Sequence, residues 1–300
     1  MFTIIAFTYL FLLIPASSAL QLNFFERAAL NNRLENIKFE ARNRLQEINE
    51  RKTENLILIF PGADGPDQFT EELELQLLAN VSSERNISPS PISNIFSPAR
   101  GQKKKKVPQC NVKTLDWKEF RGSLLTAAYD GEAFGEVAAS IVCGDGDDDE
   151  GSQLRSVHCI GISVGVFAAN ACATEINRLR QRRTSSSAPY LRLTLLDPFT
   201  SRGLFGSGYG VLNFGKSVDY AEQYLNTDDP VPTTNKPLPL CACIDVTAAK
   251  ERKSFKLPEN ETMHCWPLVY FTRFGLKDSA GKILLHSKDG NPSRGSVLNA

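Results

Sequence analysis

Apolar and polar positions alternate between two periods along this chain, and the switches between them outline the elements. Met1 to Ile14 is almost wholly apolar and ends at Pro15. From Glu26 to Arg51 the apolar residues Leu30, Leu34, Ile37, Leu45 and Ile48 recur near one helical face, which predicts an amphipathic helix. Leu56 to Phe60 is an unbroken apolar run stopped by Pro61-Gly62, the pattern of a strand buried on both faces of a parallel sheet. A helix is predicted over Pro66 to Leu78, then a mobile insertion rich in Ser, Pro, Asn and Lys over about 80–108. Further strands are predicted at Val112–Leu115, Val157–Ile160, Leu191–Leu196 and Leu240–Val246. Helices are expected at Ser123–Val142, Ser163–Leu179 and Asp219–Tyr224, with Tyr270 in a last helix or strand. Strands alternating with helices imply an α/β class: a mostly parallel central sheet with helices on both faces.

The 300 residues suffice for one large α/β domain. Residues 1–19 read as a cleaved signal peptide, with small residues after the break at Ala16-Ser17-Ser18-Ala19. Residues 20–52 read as an N-terminal helical segment, and 53–300 as the α/β domain. A secreted or secretory-lumen location follows, a plastid being the lesser option, and the sequons at Asn80, Asn86 and Asn260 fit it. Seven cysteines permit disulfides there, but their spacing does not reveal partners. Equal counts of 34 basic and 34 acidic residues give no overall pull toward nucleic acid or anionic membrane. Lys103 to Lys106 and the acidic stretch Gly144 to Gly151 read as solvated loops; the latter lacks the glycine and closing glutamate of a calcium loop. No cysteine pair has zinc-site spacing, and no metal or cofactor is expected.

The chemistry concentrates at Gly161-Ile162-Ser163-Val164-Gly165, between an apolar strand and a helix of small residues. A nucleophile elbow needs that junction, because the serine must turn sharply clear of the sheet edge. A serine hydroxyl needs a base, and the chain has three histidines. His158 lies in the strand feeding the elbow and reads as packed; His264, in a loop before an aromatic segment, is the expected base, with His286 in the polar tail as alternative. Asp197, immediately after an apolar strand, is the expected acid; Asp228, Asp229 and Asp245 are alternatives. The oxyanion donors are assigned to the backbone N–H groups of Ala63, in the Gly-rich loop after the first strand, and Val164. Phe205, Tyr209 and Phe214, in the Gly-rich stretch Thr200–Gly215, form a candidate apolar acyl wall or lid; an ordinary packed loop is the other reading.

Four segments together resemble the secreted lipases of the pancreatic-lipase type. These are Leu56–Gly62, Val112–Trp117 ending in Asp-Trp, Val157–Gly165, and Leu195-Leu196-Asp197-Pro198. The resemblance implies an α/β-hydrolase fold and makes Asp197 the triad acid, since that family takes its acid from the strand directly after the nucleophile helix. Ile162 and Pro61 stand where that family usually carries histidines, so reaction class transfers better than substrate. The expected activity is hydrolysis of a carboxylic ester through Ser163, His264 and Asp197. The partners implied are a lipid or small acyl-ester substrate and, as an option, transient contact with a membrane or lipid interface. The alternatives are acyl transfer, thioester or phospholipid cleavage at the same nucleophile, and a non-catalytic binding protein of hydrolase fold.

Overall fold

The structure, a computed structural model, describes residues 24–45, 53–86, 110–123, 126–143, 154–182, 188–203, 206, 208–231, 233–276 and 291–300. The expected signal peptide, the Lys103–Lys106 run, the Gly144–Gly151 loop, Phe205 and His286 lie outside these residues, as does the expected insertion from residue 87 onward.

Seven parallel strands form one sheet in the order β2-β1-β3-β4-β5-β6-β7. They are β1 (Asn55–Phe60), β2 (Cys110–Thr114), β3 (Ser156–Ile162), β4 (Tyr190–Leu196), β5 (Tyr220–Leu225), β6 (Ala242–Asp245) and β7 (Val297–Asn299). The helices are α1 (Phe24–Leu45), α2 (Gln68–Asn86), α3 (Ala127–Cys143), α4 (Val166–Arg182), α5 (Tyr209–Asn213) and α6 (Trp266–Tyr270). Alternate residues of each strand point to opposite faces, so the sheet sorts its apolar side chains into two cores. Leu56, Leu58, Phe60, Val157, Cys159, Leu193 and Leu195 face α1, α3 and α4. Ile57, Ile59, Ile160, Leu196 and Tyr224 face α2 and α6. The α/β class with helices on both faces is therefore observed. The fully enclosed Ile57, Leu58, Ile59 and Phe60 explain why β1 reads as a continuous apolar run, each contributing about 1.5–3 kcal/mol by burial. Among the described residues no helix is long and apolar enough to cross a membrane.

Three elements differ from expectation. Asp219–Tyr224 was expected to be a helix, but Tyr220–Leu225 is the strand β5, every residue of it buried. Its polar residues are satisfied from a distance. Glu222 accepts hydrogen bonds from Arg192 at 2.9 and 3.0 Å and from Thr194 at 2.6 Å, and Gln223 accepts from the Leu238 N–H at 2.8 Å. A buried strand carrying Glu and Gln has no apolar period to read. Helix α2 outruns its predicted end at Leu78 because Val81 is buried against the sheet; at its other end Asp67 caps the helix, accepting from the Thr70 N–H at 2.7 Å. The edge strand β7, with all three residues exposed, carries no burial pattern and was not expected.

The N-terminal helix docks on the domain. Ile37, Ala41 and Leu45 are buried in the core shared with α3. Arg33 donates to both carboxylate oxygens of Asp130, at 2.9 and 3.1 Å, and Asp130 also accepts from the Gly122 N–H and the Thr126 hydroxyl, each at 2.9 Å. The Asp130 side chain is wholly buried, so its removal orphans donors in a dry setting. Asp130→Ala is expected to lower unfolding free energy by about 2–3 kcal/mol, measured by urea denaturation. A loss near zero would mean that the bonds converging on Asp130 add nothing to the stability of the domain.

Candidate active site

Strand β3 ends at Ile162, and the chain turns at once through a single 3₁₀ turn, Ser163–Gly165, into α4. Ser163 occupies the left-handed region at φ 52°, a costly conformation for a residue with a β-carbon, of order 1–3 kcal/mol. Close packing enforces it. A β-carbon on Gly161 would fall 2.6 Å from the Val166 α-carbon, and one on Gly165 would fall 2.2 Å from the Pro61 carbonyl oxygen. Both flanking glycines are thus demanded by contact. The Phe199 N–H completes the turn by donating to the Ser163 carbonyl at 3.2 Å. Ser163 stays half-buried, at the N-terminal end of α4, where the helix dipole is positive.

His264 comes from a second 3₁₀ turn, Met263–Cys265, capped by the Thr262 hydroxyl, which accepts from the His264 N–H at 3.3 Å. The turn is anchored from behind: the Trp266 indole donates to the Val246 carbonyl at 2.8 Å, and the Asn226 amide donates to the Met263 carbonyl at 3.0 Å. This brings His264 Nε2 to 2.7 Å from Ser163 Oγ. On the other side of the ring, Nδ1 meets two carboxylates, Asp197 Oδ2 at 2.8 Å and Asp229 Oδ2 at 2.6 Å. Acceptors on that side put the ring hydrogen on Nδ1, leaving the Nε2 lone pair of the neutral imidazole to accept from the serine hydroxyl.

Both acids stand just past a strand's carboxyl end, Asp197 after β4 and Asp229 after β5. Asp197, at φ 47°, accepts from the Asn226 N–H at 3.3 Å. Asp229 accepts from the Thr234 hydroxyl at 2.7 Å and the Val231 N–H at 3.0 Å. The three groups perturb one another strongly. Burial pushes the Asp197 carboxyl up to about 8, with His264 opposing and Asp229 adding to the rise. Burial also acts to raise Asp229, but hydrogen bonds from His264 and Asp197 outweigh it and hold that carboxyl at about 2. Burial would lower His264, yet the hydrogen bonds and charges of the two acids outweigh it and raise the ring above its ordinary value.

The same three side chains have the composition of a metal site, their ligand atoms all within 4.8 Å of one another. The ring nitrogen, however, lies only 2.6 and 2.8 Å from the acid oxygens. Tetrahedral ligands bonded at about 2.1 Å stand about 3.4 Å apart, so the spacing fits hydrogen bonds better than a bound ion.

Gly62 lies against Ser163: a β-carbon there would be 3.5 Å from the Ser163 β-carbon. Ala63 follows it, and among the described residues its N–H has no protein acceptor. The Val164 N–H lies in the opening helical turn, where backbone N–H groups lack intrahelical partners. Two backbone donors therefore border Ser163. The buried Trp117 indole pins this loop, donating to the Pro61 carbonyl at 2.8 Å. Trp117→Phe is expected to cost about 1–2 kcal/mol of stability and to slow reaction at Ser163 by about tenfold, read from thermal melts and rates side by side. An unchanged rate would show that the loop keeps its place without this bond.

The remaining candidates lie elsewhere. The His158 ring is buried within the sheet, 2.7 Å from the Thr194 hydroxyl. Asp228 pairs with Arg252, and Asp245 accepts from the Thr247 N–H. Phe214, expected to face substrate, is instead fully buried, packed edge-on against Phe167 at 5.1 Å. It is enclosed because the short helix α5 folds the Gly-rich stretch back onto α4. Tyr209, half-buried, stacks on Phe167 at 5.8 Å, and Leu212 beside it is 70% exposed. The joint placement of Asp229 with Asp197 was not foreseen; once β5 is recognised as a strand, Asp229 shares the position past its end that singled out Asp197. No protein-family model, no curated protein and no solved structure matches the chain.

Proposed function

We propose that this chain is a serine hydrolase of carboxylic esters, of the α/β-hydrolase fold and allied to the lipases of the pancreatic-lipase type. One observation carries the reading: Ser163 Oγ is hydrogen-bonded to His264 Nε2 at 2.7 Å, while Nδ1 of the same ring meets buried carboxylates at 2.6 and 2.8 Å. A hydroxyl, a base and an acid in that relation are the parts of nucleophilic acyl transfer. The chain order of serine, acid and histidine, and an elbow after a central strand of a parallel sheet, support the fold assignment.

In this mechanism Nε2 of neutral His264 takes the Ser163 proton as the oxygen attacks the ester carbonyl. The pair of acids at Nδ1 stabilises the imidazolium that forms. The N–H groups of Ala63 and Val164 donate to the oxyanion, and the positive end of α4 adds to their field. The imidazolium then protonates the departing alcohol, and water, activated by the same ring, releases the acid. Phe199, half-buried and bonded through its N–H to the Ser163 carbonyl, offers apolar surface for an acyl chain. Secretion, argued from residues 1–19, remains part of the proposal.

The test is labelling of native protein with a fluorophosphonate, together with hydrolysis of a panel of acyl esters. Tagging of wild type at Ser163, lost in Ser163→Ala, is the expected outcome. A native protein that resists the reagent and cleaves no ester would return the fold to the role of a binding protein.

A further inference from the structure

We propose that the two carboxylates at His264 divide their work: Asp229 carries the negative charge that orients and balances the imidazole, and Asp197 is its neutral, protonated partner. This rests on His264 being the base of the reading above, and it makes Asp229 the positioning residue of the site.

Geometry comes first. Asp229 is the nearer acid, 2.6 Å from Nδ1 against 2.8 Å for Asp197. It also receives two further donors, the Thr234 hydroxyl at 2.7 Å and the Val231 N–H at 3.0 Å. Among the described residues Asp197 receives a single one, the Asn226 N–H at 3.3 Å. Both side chains are almost wholly enclosed, so donor supply decides: donors stabilise an ionised carboxylate, the better-supplied acid ionises and the other keeps a proton. Two carboxylates against one ring nitrogen cannot both be charged cheaply, and a proton on Asp197 removes the repulsion. The opposed titration of the pair, Asp197 up to about 8 and Asp229 at about 2, runs the same way.

The other groups facing the ring are few. Ser163 lies at Nε2, and Glu261, from the ring's own loop, adds negative charge along with its neighbours Asp64 and Asp67. These stay the same in each variant below, so differences among them report on the pair.

Asp197→Asn imitates the protonated acid, keeping a donor where the carboxyl hydrogen was. It should retain ester hydrolysis within about tenfold of wild type, whereas Asp229→Asn should lose at least about tenfold more, since removing the charged orienting acid of such a site costs up to about 10⁴. The sign of the pH effect follows. Removing the nearer negative charge lowers the His264 pKa, so the acid limb of kcat/KM moves to lower pH in Asp229→Asn and little in Asp197→Asn. With only three histidines in the chain, ¹⁵N spectra of histidine-labelled protein resolve His264 directly. Its midpoint should fall by about one pH unit or more in Asp229→Asn and by less in Asp197→Asn. Carboxyl ¹³C shifts of unmodified protein need no variant and should show Asp229 ionised at pH 5–6 while Asp197 is still protonated.

The reverse order of losses, equal losses in the two variants, or an ionised Asp197 beside a protonated Asp229 would overturn the proposal. The spectra do not depend on turnover. If wild type resists the fluorophosphonate while the titration order holds, the ester-hydrolase reading fails and the division between the acids stands.

Discussion

Ser163→Ala is expected to lower kcat/KM for an acyl ester by about 10⁴–10⁶ while leaving the fold intact. The size follows from what is lost. The attacking oxygen disappears, and with it the group that makes His264 useful; only binding and the oxyanion donors remain to help water. The fold should survive because the described contact of the hydroxyl is the 2.7 Å bond to a partly exposed imidazole, and alanine fits the same half-buried space. Alanine tolerates the left-handed turn about as poorly as serine does, so the 52° φ adds little new strain. Matched thermal melts and ester assays of the two proteins check this. A variant with wild-type turnover would remove Ser163 from the chemistry and leave the elbow as a structural turn.

Gly165→Ala should be among the most damaging single-methyl additions at the described glycines. Its β-carbon would sit 2.2 Å from the Pro61 carbonyl oxygen and 2.4 Å from that of Phe60. Both are backbone atoms at the end of β1, held on the far side by the Trp117 indole, and no rotamer change relieves them. Relief requires α4 to lift from β1, opening the core packed beneath it. The cost is expected to be about 3 kcal/mol or more. The Pro61–Ala63 loop would move with the strand end, so activity of any protein that still folds should fall by about 10²-fold. Denaturation midpoints and specific activity test both halves. A variant with unchanged stability would show that the elbow does not depend on this contact.

Local pattern identified most of what positions the site. β1, β3 and β4 are apolar because both their faces are covered, so each reads directly as a strand. The elbow was legible because its glycines answer steric demands a few residues away: Gly161 meets Val166 on the helix that follows. His264 and Asp197 were legible from their place after an element and from the small number of histidines. β5 was not. Glu222 and Gln223 are buried only because Arg192, Thr194, Leu238 and Lys236 supply their partners, and that knowledge is not local. Asp229 was therefore only an alternative acid, in a loop turn, and its place at the same sheet edge as Asp197 went unread. For Phe214 the sequence left an acyl wall and a packed loop both open, and its burial favours the second. An aromatic in a Gly-rich stretch looks exposed until α5 folds it onto Phe167.

The amino-acid order by itself determined the α/β class, the strand–turn–helix junction at Ser163 and the candidates Ser163 and His264, because period, steric need and residue chemistry are properties of short segments. Tertiary structure alone decided that two acids, 32 residues apart in sequence order from 197 to 229, converge on one ring nitrogen. Their meeting depends on the parallel pairing of β4 with β5 and on loops closing over a shared edge. Which acid holds charge depends further on burial and donor supply, quantities that exist only once the chain has folded.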